Sequence, residues 1–145
     1  MTVHLIKLAV GIDSFPHLAE RQRQRIAEAE AAGGDARLRH LTRSTPRRAD
    51  EAVDGGSIYW VIKGAIRARQ RIVAVEPAVS RNGLPRCALI LDPDLVPVRA
   101  QPRRAFQGWR YLDPADAPPD AIGVVDEADE LPAHMAEELR ELGLL

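Results

Sequence analysis

The stretch SIYWVIKGAIRARQRIVAV, residues 57–75, constrains the fold of this chain more than any other. Its first half is rich in β-branched and aromatic residues, and after Gly64 an arginine stands at every second position: Arg67, Arg69 and Arg71. Successive side chains of a strand point to opposite faces. A strand reading therefore puts the three arginines on one face and Ile66, Ala68 and Ile72 on the other. Two strands, or one long strand bulged at Gly64, both satisfy the pattern. A helix is the competing reading, because Ile58, Ile62, Ile66, Arg69 and Val73 also fall at helical spacing.

The flanking segments supply punctuation. VHLIKLAV, residues 3–10, is a short apolar run closed by Gly11 and reads as a strand. Asp13 or Ser14 caps a following helix, Pro16 suits its first turn and Gly33–Gly34 ends it, with Phe15, Leu18, Gln22, Ile26 and Ala29 along one face. The remainder of that helix reads as solvated charge. ARLRHLTRS, residues 36–44, alternates as a half-polar strand. Thr45, Pro46 and Gly55 then specify a helix of two to three turns. Asn82–Gly83 predicts a hairpin turn leading to the buried strand RCALILDP. DLVPVRA follows as an edge strand, because Pro97 donates no ladder hydrogen bond. QPRRAFQGWRYLDPADAPPDA reads as an extended segment closing into a loop, and a last helix starts near Pro132.

That order predicts an α+β fold: a mixed or mainly antiparallel curved sheet, or a small barrel, with about three helices packed on it. A length of 145 residues predicts one domain, 1–145, able to bury roughly two thirds of the unfolded chain's surface without disulfides or metal. The single Cys87 sits in an apolar run, which predicts a buried free thiol in a reducing, cytoplasmic compartment. No signal peptide and no membrane span is expected.

Charge is divided along the chain. Residues 1–110 carry 19 Lys+Arg against 11 Asp+Glu, a balance of +8, and residues 111–145 carry 1 against 10, a balance of −9. The body is basic and the C-terminal segment acidic. Eighteen of the 20 basic residues are arginine, the better fork for phosphate or carboxylate. A GC-rich genome is the plainer source of that excess.

No motif for nucleophilic, metal or phosphate-loop chemistry is present, so no catalytic residue, metal or cofactor is assigned. His4, His17, His40 and His134 are scattered and read as structural or surface residues; His40 is singled out because it lies among the arginines of its own strand. Asp92 and Asp94 around Pro93 read as a capped turn rather than a carboxylate pair. The functional signal is arginine beside aromatics. The candidate ligand-binding set is Arg67, Arg69, Arg71, Lys63 and Arg39, joined by Arg37 if the two strands are neighbours, together with Arg103, Arg104, Trp109, Arg110 and Tyr111. Cationic grooves with stacking aromatics bind single strands. A solvated strand face with salt bridges is the plainer reading of the same arginines.

The blocks GGSIYWVIKG and FQGWRYL, together with HLIKLAVGIDS and CALILDPDLV, resemble an uncharacterised bacterial family classed as a domain of unknown function. The resemblance covers nearly the whole chain and implies a small single-domain intracellular protein, with no site to carry over. Element order and basic character are similar, more loosely, to RNA-binding barrels of the PUA and ASCH type. The expected function is a non-enzymatic module binding an anionic ligand, RNA or single-stranded nucleic acid foremost, or a phosphorylated small molecule. The alternatives are an enzyme acting on a small phosphate or carboxylate substrate, with Asp92 or His40 moving a proton, and an interaction protein docking through its acidic C-terminal helix. The oligomeric state is left open.

Overall fold

A computed structural model describes residues 1–34 and 36–121 of the chain. The elements run β1 (His4–Leu8), α1 (Phe15–Ala31), β2 (Leu38–Thr42), α2 (Ala49–Ala52), β3 (Ser57–Ile62), β4 (Ala65–Val79), β5 (Pro85–Leu91), β6 (Val96–Pro102) and β7 (Trp109–Leu112), with a short 3-10 turn over Pro114–Asp116. The strands form one mixed sheet in the order β2-β5-β4-β3-β1-β7, and β6 also pairs with β4. Only β1 and β3 are parallel; the other pairs are antiparallel. The fold is thus α+β around a curved, mostly antiparallel sheet. Among the described residues it is open, since β2 and β7 end the order without pairing with each other.

The described residues hold two α-helices where about three were expected, and α2 has four residues rather than two to three turns. Thr45 does not cap it. The cap position falls at Arg48, whose side chain makes no capping bond and instead reaches Glu51. The helix expected near Pro132, and the docking role given to it, lie outside the described residues.

The segment 57–75 is two strands, not a helix. Lys63 and Gly64 both have positive φ, 51° and 80°, as the two central residues of a type I′ hairpin turn require. The arginine pattern is interrupted, however. The partner of Trp60 is Ala68 and that of Val61 is Ile66, which leaves Arg67 as the extra residue of a bulge. Ile66 and Ala68, expected on one face, consequently enter different cores. The segment expected as a loop after β6 contains β7, paired with β1.

The larger core lies on the α1 side of the sheet and includes Leu5, Leu18, Ile58, Trp60, Ile62, Ala68, Ile72, Cys87 and Leu89. Cys87 is a buried free thiol. The opposite face carries a smaller cluster of Ile6, Tyr59, Val61, Ile66, Val98 and Leu112. Ser14 caps α1, its Oγ accepting from the backbone N–H of His17 at 3.1 Å. No helix among the described residues is long and apolar enough to cross a membrane.

Candidate functional site

The strand order disperses the expected arginine face. β5 lies between β2 and β4, because the hairpin around Asn82–Gly83 folds β5 directly onto β4. Arg37 and Arg39 are therefore not on a strand next to Arg67, Arg69 and Arg71. Trp109 and Tyr111 on β7 are three strand spacings from β4, roughly 14 Å.

Individually, these residues are committed in different ways. Arg69 forks onto Asp120 at 2.7 and 2.8 Å and also donates to Ser57 Oγ at 3.2 Å. The Arg69 guanidinium holds the Asp120 carboxyl below the usual carboxylate range. Arg67 Nε donates to the Ile62 carbonyl at 3.1 Å. Arg71 is exposed. Lys63 lies 3.7 Å from Asp13, both exposed. Arg37 pairs Glu76 in two-pronged fashion at 2.9 and 3.0 Å. Arg110 stacks over Phe106, 4.6 Å from the ring centre. Trp109 Nε1 donates to the Ser44 carbonyl, and the Tyr111 hydroxyl accepts from the Arg48 backbone N–H. Arg103 and Arg104 border an open, polar hollow with Gln101 and Asp116. Asp92 forms the expected turn, its Oδ1 accepting from the Asp94 N–H at 2.9 Å.

A different set of cations lines one partly open cavity. A cavity of about 160 Å³ opens between the end of β1, the first half of α1 and β2. Lys7, Arg21, Arg25 and Arg39 line it together with His40, Gln22 and Trp60 and the apolar residues Leu8, Ala9, Val10, Ile12, Leu18, Leu38 and Leu91. Among the described residues, no aspartate or glutamate is in that lining. The placement follows from periodicity. Lys7 lies opposite Trp60 in the β1–β3 register, on the parity of Leu5 that faces α1. Arg21 and Arg25 fall three and seven residues after the buried Leu18, beside Gln22.

The floor of the cavity is a closed polar network. Gln70 is fully buried, and its Oε1 accepts from Gln22 Nε2 at 2.9 Å and from Trp60 Nε1 at 3.0 Å. Its Nε2 donates to Gln22 Oε1 at 2.8 Å and to the Asp92 carbonyl at 3.1 Å. Two donated and two accepted bonds use the whole capacity of a primary amide. Gln22 makes one donation, leaving its second amide hydrogen without a partner among the described residues.

His40 stands edge-on to Trp60, ring centres 5.1 Å apart at 87°. Its Nε2 is buried and has no hydrogen-bond partner among the described residues. Burial, and then the charges of Lys7 and Arg25, push its pKa down to about 4, so the ring is neutral near pH 7. Burial also lowers the Lys7 ammonium below the ordinary lysine range.

Of this constellation, sequence reasoning reached Arg39 and His40 and passed over Lys7, Arg21, Arg25, Gln22 and Gln70 as site residues. A signal existed: Arg21 and Arg25 form a like-charged pair one turn apart, which costs an isolated helix a few tenths of a kcal/mol.

Fold and cavity together define an α+β protein with a small cationic pocket on one face of the sheet. The chain belongs to the family described as Protein of unknown function (DUF1489), whose model matches residues 5–145. No curated protein and no solved structure matches it.

Proposed function

We propose that this protein binds a small organic anion, bearing a phosphate or carboxylate group, in the pocket between β1, α1 and β2. One observation carries the reading: among the described residues, Lys7, Arg21, Arg25 and Arg39 line one cavity with no carboxylate in its lining, and none of the four forms an ion pair. Bringing like charges together around a partly dry cavity opposes folding. A bound anion turns that opposition into affinity, because charge-assisted hydrogen bonds gain strength where water is excluded. The apolar residues of the lining suit a short hydrocarbon portion of the ligand.

The pocket supports a binding role rather than catalysis. Asp92 is not in its lining, so His40 has no carboxylate beside it with which to divide acid and base work. RNA or single-stranded nucleic acid draws on a different surface, that of Arg71, Arg103, Arg104 and Arg110. Those side chains are spread over separate strands and loops, and the stacking candidates Trp109 and Tyr111 are hydrogen-bonded to the Ser44 carbonyl and the Arg48 N–H.

Calorimetric titration at low salt with inorganic phosphate, acetate and a single-stranded RNA oligomer tests the reading. A small anion should bind the parent chain and lose most of its affinity in Arg21→Gln/Arg25→Gln, with Arg71→Gln/Arg103→Gln/Arg104→Gln unaffected. RNA binding that depends on the second variant alone, with no small anion bound, overturns it.

A further inference from the structure

The unpartnered imidazole at the base of the pocket indicates which anion fits and how it is held. Each element around His40 presents either a cation or an uncharged group. Lys7 comes from β1, Arg21, Arg25 and the uncharged Gln22 from α1, Arg39 from β2 itself, Trp60 from β3 and Leu89 from the facing position on β5. Among the described residues, no acidic side chain lines the cavity. A buried ring nitrogen without a hydrogen bond costs stability, and native proteins keep few of them. Here the missing partner adjoins a hole of about 160 Å³ ringed with positive charge.

We infer that the pocket takes a phosphate-type dianion, a tetrahedral oxyanion, and that His40 binds a proton from solvent as the anion settles among Lys7, Arg21 and Arg25. This rests on the anion-binding reading above and narrows it. A carboxylate carries one charge and presents its acceptors in one plane, whereas phosphate brings up to two charges and several strong acceptor oxygens for donors converging from β1, α1 and β2. In the empty pocket the cations and the dry surroundings keep the imidazole neutral. A dianion reverses the sign of the local field, which favours imidazolium and gives Nε2–H an acceptor. The proton leaves to solvent when the anion does. Gln70 is the positioning residue, since its four hydrogen bonds fix Trp60 and Gln22 and thereby the wall against which His40 stands.

The linkage has a definite sign. The anion-bound state holds more protons than the empty state between pH 4 and the raised pKa of bound His40, so affinity rises as pH falls through that window, by at most about tenfold per pH unit for one proton. Sulfate is the clean probe, because it stays doubly charged throughout. The full chain is titrated with sulfate and with acetate between about pH 5 and 8, in buffers of contrasting ionisation enthalpy. The expected result is sulfate binding with net proton uptake, tightening toward pH 5, and weaker acetate binding. His40→Gln should still bind sulfate, with no proton uptake and a flat pH profile. NMR titration of His40 in the unaltered chain provides a readout independent of any variant's folding: its pKa should rise by at least about one unit with sulfate present. Sulfate binding without proton uptake, an unmoved His40 titration, or acetate binding as tightly as sulfate overturns the inference and leaves the anion pocket standing. Failure of every small anion to bind removes the pocket reading as well.

Discussion

Gln22 and Gln70, 48 positions apart in the chain, exchange two hydrogen bonds of 2.8 and 2.9 Å and so tie α1 to β4 beneath the pocket. Gln70 is fully buried and saturated, and its removal strands the Trp60 indole N–H, the Gln22 amide and the Asp92 carbonyl together. Each stranded buried group costs about 1 to 3 kcal/mol. Gln70→Leu should therefore lower stability by about 3 kcal/mol or more in urea denaturation, and near-UV circular dichroism should show a loosened Trp60.

His40 makes the empty protein sensitive to acid. Its folded pKa of about 4 lies below the ordinary 6.5, so the folded state binds fewer protons than the unfolded chain between those values. The associated stability is fully present above pH 6.5 and is lost as pH falls toward 4, a total of about 3 kcal/mol. His4 acts in the same direction, its pKa lowered by burial and then by Arg69. Denaturation midpoints measured from pH 7 to 4 should fall steeply, and His40→Phe should flatten much of that slope.

Lys7 is held in place against both burial and its cationic neighbours. Lys7→Met should stabilise the anion-free chain by about 0.5 to 1 kcal/mol, as relief of functional strain commonly does. The same change should weaken phosphate binding. Thermal melts with and without phosphate check both outcomes in one experiment.

Arg69 and Asp120 hold residues 119–121 along β6, where Asp120 bridges Val98 and the Arg99 and Ala121 amides bond the Pro119 and Pro97 carbonyls. The two side chains are 27% and 32% exposed, which limits the pair to about 1 kcal/mol. Asp120→Asn should cost about that much. It should also speed hydrogen exchange at the Ala121 and Arg99 amides without altering the pocket. The Asp120 contribution is present above its unfolded pKa and is lost in stronger acid, because Arg69 lowers the folded value.

Gly56 sits where a side chain would meet the carbonyl oxygens of Ala52 and Val3, well inside van der Waals contact. Both atoms are backbone and cannot swing away. Gly56→Ala should cost about 3 kcal/mol or more, measured by denaturation, or prevent folding.

Much of the framework was legible from local chemistry. Ser14 and Pro16 marked the start of α1, Asn82–Gly83 marked the β4–β5 turn, and the apolar run around Cys87 marked a buried strand, because capping, turn geometry and burial are decided within a few residues. Regular alternation failed at Arg67, where a bulge set by the pairing of Trp60 with Ala68 and Val61 with Ile66 reverses the parity of β4. A bulge depends on the partner strand, and that information is not local. Strand order was equally remote from sequence: once β5 stands between β2 and β4, Arg39 and Arg69 cannot share a face as neighbours, however alike their spacing. The pocket shows the same limit, for Lys7, Arg25 and His40 lie on three elements that meet only when α1 packs over the sheet. Sequence by itself determined the charge, most of the strands, the start of α1 and much of the core. Which charges line one cavity was decided by tertiary packing alone, because electrostatic coupling depends on distance and burial rather than on position along the chain.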